Sequence, residues 1–361
     1  MKKLTEGQEG QLRALRGRLH ACPEVSGRET HTKAALMAFL AEHTTLELVD
    51  RGVWFYAAHR EKDSPPGVAF RADYDALATP DGGAAHLCGH DGHAAALCGV
   101  GLMLEGENVG RDVYLLFQPA EETGAGARVC AELFALECVG EIYGAHNLPG
   151  VSLGRVTTCP GTFACASLGL SLYFTGAPTH AAYPENGVSP APAVGELLNE
   201  LPRLSAPEDY QGMALCTVIG ARMGEKAFGA AAADAELWLT LRAEHDGDLA
   251  CLEKRILRAA GDLARDHRLG FRFEKQDVFP ATENHASCAR RVLRLCGGVR
   301  LETPMRWSED FGWYLRRCRG AFFGIGAGEG HPPLHTTDYE YPDALLAPTC
   351  GAFWALIPPV E

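Results

Sequence analysis

The sequence predicts an α/β protein: a mainly parallel sheet flanked by helices, interrupted by a smaller inserted α+β sandwich. Three observations predict it. The apolar runs GVAFRADYDAL (residues 67–77), DVYLLFQPAEE (112–122) and EIYGAHNLP (141–149) have the length and composition of buried strands. An Ala-rich stretch from His93 to Leu104 reads as a buried helix between the first two, and strand alternating with helix is the pattern of a parallel sheet. Beyond Leu168 the order changes to strand, helix, strand, strand, helix, which suggests a small α+β sandwich.

In chain order, residues 8–20 and 28–43 have helical apolar spacing and VWFYAA (53–58) is strand-like. The inserted region opens with an alternating strand, Leu168 to Thr175, and the turn GAPTHAAYPENG (176–187). A helix near 190–201, strands near 213–221 and 234–243 and a helix over about 247–267 follow. After a strand from Phe271 to Val278, helices near 284–296 and 309–317 and the run AFFGIGAG (321–328) resemble the first region again. The expected organisation is therefore a main domain in two segments, 1–164 and 277–361, around an inserted domain, 165–276.

Composition narrows the function. A formal net charge of -13, with 33 Lys and Arg that form no cluster, argues against a nucleic-acid surface. The start MKKLTEGQEG lacks an apolar segment behind its lysines, and no run of about 18 apolar residues occurs, so no membrane partner is expected and a cytoplasmic location is. The 13 cysteines are odd in number and scattered, which fits reduced, buried thiols better than a disulfide framework.

All three strand-like runs end in polar residues, where ligands collect in parallel sheets. HLCGHDGH (86–93) adds Cys88 and His90, one residue apart, a thiolate and an imidazole able to reach one ion or a pair. With no Cys-x-x-Cys pair, a structural zinc site lacks its second half. Glu121 and Glu122 are adjacent, so one carboxylate can ligate while the other works as a general base, or both can simply favour a helix N-terminus. His146, at a strand end, and His335, in a Gly- and Pro-rich loop, are single histidines that carry weight only if these segments assemble. Asp91 and His93 read as groups that orient the ligands or cap the helix that follows, and His86 has no assigned role.

RADYDAL, HLCGHDGH, FQPAEETGAGA, GAHNLPG, TGAPTHAAYPENG, SEDF and PLHTTDYEY occur in this order. Together they resemble the co-catalytic metallopeptidase family of aminoacylases and carboxypeptidases, in its branch of hippurate and auxin-amino-acid conjugate hydrolases, from about residue 8 to 357. The resemblance implies a zinc-exopeptidase-like catalytic domain with a lid and dimerisation domain, hence a homodimer through residues 165–276. It implies that Cys88, His90, Glu122, His146 and His335 hold two divalent ions, zinc or manganese, with cobalt or nickel also compatible. Glu121 would be the general base and His180 would reach the substrate or its oxyanion. Asp73, Asp91 and His93 would support the ligands. The implied activity is hydrolysis of an N-acyl amino acid or related small amide. A dipeptidase or carboxypeptidase-type exopeptidase is the alternative, and a non-catalytic binding protein on the same fold is a further one.

In this branch Arg71 occupies the position where other relatives place a metal-binding histidine, and the cysteine-containing loop would supply the replacement ligation. The chain departs from the family pattern in three places. The loop 78–85 is short, Phe228 and Gly229 replace a polar substrate contact, and Pro178 precedes the His180 turn. Arg242 keeps its spacing and either anchors a substrate carboxylate as a bidentate pair or sits in a surface ion pair.

Overall fold

A computed structural model describes residues 2–358, which fall into two units: one from the N-terminus to Phe163, with Thr282–Pro304 and the chain from Asp310 onward, the other Ala164–Ala281 with Met305–Glu309. In the first unit, α1 (Glu6–His20) begins at a reciprocal cap. The Gln8 N–H donates to Thr5 Oγ1 at 3.2 Å and the Thr5 N–H to Gln8 Oε1 at 2.9 Å, an arrangement worth about 1 kcal/mol. Leu12, Leu15 and Leu19 lie buried at helical spacing, as do Leu36, Phe39 and Leu40 on α2 (Thr30–His43). Strands β1 (Glu47–Asp50) and β2 (Phe55–His59) pair antiparallel. Strand β3 (Gly67–Asp73), α3 (His90–Leu104) and β4 (Val113–Gln118) are buried at every residue, as central parallel strands and a helix packed among other helices must be. Next come β5 (Val139–Pro149) and β6 (Val156–Thr158).

The second unit runs β7 (Ala166–Thr175), α4 (Ala191–Leu204), β8 (Ala214–Met223), β9 (Asp234–Ala243), α5 (Asp246–Asp266) and β10 (Gly270–Phe279). Its sheet has the order β8-β9-β7-β10, antiparallel throughout. Period-two residues Leu168, Leu170, Leu172 and Phe174 of β7 share one core with Leu197 and Leu201 of α4 and Leu252 and Ile256 of α5. Strand β10 runs through residue 276 and still pairs Phe279 with Ser167, so the boundary expected at 276 falls inside a strand.

Back in the first unit, α6 (Ala286–Leu295), β11 (Val299–Arg300), β12 (Gly320–Gly328) and α7 (Leu346–Leu356) complete the fold. The eight strands lie in the order β1-β2-β4-β3-β5-β12-β6-β11. Its centre, β4-β3-β5-β12, is parallel, so the loops that follow Gln118, Asp73, Pro149 and Gly328 leave the same edge. The helix expected over 309–317 is reduced to Gly312–Leu315. Single turns flank it, the Trp313 N–H donating to Asp310 O at 3.0 Å and the Cys318 N–H to Tyr314 O at 2.9 Å; upstream, the Cys165 N–H is shared between Met305 O and Trp307 O, both at 3.1 Å. Among the described residues, no helix is long and apolar enough to cross a membrane.

Candidate metal centre

At the carboxyl edge of the parallel strands, four stretches of the first unit converge. Gly89, at φ 94°, turns the HLCGHDGH loop into α3. A Cβ there would lie 2.6 Å from the Tyr339 hydroxyl and 2.8 Å from Asn147 Oδ1, so only glycine fits both the dihedral and the space. The turn after β4 is equally constrained. Ala120 has φ 52°, its N–H donates to Glu29 Oε1 at 2.8 Å, and a Cβ on Gly126 would sit 1.8 Å from Pro119 O. His335, at φ 64°, is held by its N–H donating to Leu87 O at 2.8 Å. A non-glycine residue in the left-handed region is costly, and such residues gather at functional sites.

These turns bring donor atoms together in overlapping groups, each spanning no more than 4.8 Å: Cys88, His90 and His146; Cys88, Glu122 and His335; His90, Glu121 and Glu122. Cys88 Sγ lies 3.3 Å from His146 Nε2. His90 Nε2 is 3.8 Å from Glu122 Oε1 and 3.9 Å from Glu121 Oε2, and His335 Nε2 is 3.8 Å from Glu122 Oε1.

The rings are oriented from behind. His90 Nδ1 donates to Asp75, at 3.0 Å to Oδ1 and 3.1 Å to the carbonyl, and His146 Nδ1 donates to Asn147 O at 2.8 Å. Each ring thus presents Nε2 to the cluster, the arrangement that fixes a metal-ligating tautomer. Among the described residues His90 Nε2 and Glu122 Oε1 are buried without a hydrogen-bond partner, which is costly for a polar atom unless an ion or water meets it. A thiolate, three imidazoles and a carboxylate are a fitting donor set for divalent cations such as zinc.

The electrostatics point the same way. Burial, with the Glu122 charge, pushes the Cys88 thiol well up, and burial raises Glu122 to about 7 against the pull of His90. Burial opposes the His90 imidazolium, but Asp73 and Cys88 outweigh it and raise its pKa well above the ordinary range. Burial and the neighbouring His93 push His146 well down. A crowded thiol and carboxylate are the groups whose charged forms a dication stabilises.

The supporting residues divide. Asp73 accepts from His93 Nδ1 at 2.7 Å and from Arg71 Nη1 at 2.7 Å. Arg71 is fully buried, and besides Asp73 it holds Gln118 and Asp310. Asp91 does not cap α3, which has no side-chain cap. It is buried against α1, accepting from Arg16 at 3.2 Å and His20 Nδ1 at 2.9 Å, because a carboxylate without solvent needs cationic partners more than a peptide N–H. His86 is buried with both ring nitrogens unpartnered. Sequence reasoning passed over Asp75, Asn147 and Asp310. Asp75 stood in RADYDAL two residues beyond Asp73, and Asn147 stood next to His146, which was the available signal.

The remaining residues named from sequence lie in the second unit. His180 is exposed on the two-residue strand Thr179–His180, paired with Ala230–Ala231. The Ala182 N–H donates to its Nδ1 at 3.1 Å, so the proton of the neutral ring is on Nε2. The Ala181 N–H donates to Gly229 O at 3.0 Å while Phe228 is 91% exposed; this stretch supports the His180 turn through its backbone. Arg242 donates to Ser308 Oγ at 2.9 Å and Arg306 O at 3.2 Å.

The pattern of peptidase family M20/M25/M40 matches residues 69–357. The Arabidopsis thaliana protein named IAA-amino acid hydrolase ILR1-like 4 is 27% identical over 359 residues, covering 92% of this chain and 81% of its own. The Bacillus subtilis (strain 168) N-acetylcysteine deacetylase is 25% identical over 350 residues, 90% of this chain and 91% of its own. The crystal structure of the Bacillus subtilis YXEP protein, described as a dinuclear metal binding peptidase, shares the fold with a TM-score of 0.82 at 23% identity and 98% coverage of each chain. Every donor in the cluster falls inside the matched span, and the chain belongs to peptidase family M20/M25/M40.

Proposed function

We propose that this chain is a metal-dependent amidohydrolase that removes the acyl group from an N-acyl amino acid or a related small amide. The observation that carries the reading is the overlap of two donor groups at Cys88, with Glu121 at their margin. Cys88, His90, Glu122, His146 and His335 would hold two divalent ions, zinc or manganese by donor type. When bound, such ions polarise the amide carbonyl and lower the pKa of water at the site. Glu121 takes the proton from the attacking water and delivers it to the amine nitrogen as the C–N bond breaks and the C–O bond forms. His180, with its proton on the exposed Nε2, is the candidate donor to the developing oxyanion, and Arg242 the candidate anchor for the substrate carboxylate.

Relatives named for N-acetylcysteine, N-acetyldiaminopimelate and IAA-amino acid substrates support the substrate class. Amine release is measured over N-acetyl-cysteine, N-acetyl-diaminopimelate, indole-3-acetyl-alanine, hippurate and a set of dipeptides, with zinc or manganese and with chelator. The reading predicts metal-dependent release from an N-acyl amino acid in preference to dipeptides. Preference for dipeptides would move the chain to the exopeptidases, and no release anywhere on the panel would leave a binding protein.

The assembly we infer is a homodimer through β8. That strand is an edge of its sheet and exposes Val218, Ile219 and Met223 beside Arg222, whereas the opposite edge, β10, exposes a single large apolar residue, Phe273, among Arg272, Glu274 and Lys275. Charge blunts an edge and an apolar edge invites pairing. Solution scattering is expected to show a dimer at micromolar concentration that Ile219→Lys converts to monomer; a monomeric unmutated chain would count against it.

A further inference from the structure

We propose that Asp310 is a positioning residue for Glu121, a role that rests on Glu121 being the general base. The Asp310 side chain is fully buried. Its carboxylate accepts from Arg71 Nη2 at 2.8 Å, from Gln118 Nε2 at 2.9 and 2.8 Å, and from the Ala127 N–H at 2.8 Å. Those donors come from three places: β3, the end of β4, and the short helix Gly126–Cys130 that follows the Glu121 turn. A carboxylate satisfied on both oxygens by a guanidinium, an amide and a peptide N–H has little freedom to move.

That clamp fixes the Asp310 peptide, whose N–H donates to Glu121 Oε1 at 3.4 Å. With Oε1 held, Oε2 is the oxygen that faces the donor cluster, 3.9 Å from His90 Nε2. The same network continues through Arg71 to Asp73 and from there to His93, none of them among the five proposed ligands. Asp310 is not one of the five proposed ligands, and its carboxylate lies within 4.8 Å of the Glu121 carboxylate. It acts by deciding which Glu121 oxygen is offered to the proton and how tightly it is aimed, and general-base efficiency depends on that geometry first.

The test measures kcat, KM and bound zinc for Asp310→Asn, Glu121→Gln and the double variant, on the N-acyl amino acid hydrolysed fastest in the panel. Asparagine keeps the shape but removes the charge that Arg71 and the peptide N–H require. A fall in kcat of about tenfold or more is expected, with KM within about twofold, zinc content unchanged, and less than about twofold further loss when the substitution is added to Glu121→Gln. A purely structural role would instead lower zinc content or multiply through the double variant, and either result overturns the proposal, as does an unchanged kcat in Asp310→Asn. If Asp310→Asn does not fold, Gln118→Met removes two of the bonds to the same carboxylate and is expected to give the same kcat-only loss. Full activity in Glu121→Gln is a different outcome: it removes the base assignment itself.

Discussion

Glu121→Gln is expected to lower kcat by about 10²–10⁴-fold, the range general-base catalysis supplies, while the protein keeps its fold and its bound metal. The substitution is nearly isosteric. The glutamine carbonyl can still accept the Asp310 N–H that now meets Oε1. What changes is the other end, where an amide replaces the oxygen that faces His90 Nε2 and cannot take a proton. Because Glu121 is not among the five proposed ligands, elemental analysis should find the same metal content, and thermal unfolding should shift by no more than a degree or two. Steady-state rates on the best panel substrate are the measurement. A variant with unaltered kcat would remove Glu121 from the chemistry, and one that loses metal would move it to the ligand set.

The second large effect is expected from His90→Ala. His90 sits in the donor groups that contain Cys88 and Glu122, and its Nε2 is buried without a geometrically good hydrogen-bond partner among the described residues. Deleting it should reduce bound zinc to one ion or fewer per chain and reduce amide hydrolysis to background. Metal bound only by the folded state stabilises it by mass action, about 2.7 kcal/mol at a hundredfold excess over Kd, so zinc should raise the melting temperature of the unmutated chain and not that of the variant. The metal-free variant should also be less stable than the metal-free parent, because Asp75 and Asp73 lose a buried cationic neighbour that holds both carboxylates below their usual range despite burial. Full zinc content in His90→Ala would show that the centre is held elsewhere.

The parallel core was legible because its residues repeat a pattern. Strands β3 and β4 are buried at every position and α3 along its whole length, so unbroken apolar runs were the correct signature. The α+β unit showed the opposite signature, Leu168, Leu170, Leu172 and Phe174 alternating into one core. The end of the chain was harder: apolar spacing over 309–317 suggested a helix, and only Gly312–Leu315 is regular, with single hydrogen-bonded turns on either side.

At the site, the residues with chemical side chains next to glycine and proline stood out, and the turns place Cys88, His90, Glu122, His146 and His335 in overlapping groups. What periodicity and motif could not give was the partner of each. Arg71 meets Asp310 across 239 positions of sequence and Gln118 meets it across 192. Asp91 looked like a helix cap and instead pairs with Arg16, 75 positions earlier. Such pairings are set by which strands become neighbours, a property of the sheet order rather than of any local stretch.

The central claim is that Cys88 lies at the junction of two metal sites, and the anomalous-difference map of a zinc-loaded crystal tests it most directly. Two peaks are predicted, one among Cys88, His90 and His146 and the other among Cys88, Glu122 and His335. A single peak, or peaks that leave Cys88 without a metal neighbour in protein that hydrolyses the amide, would contradict the account.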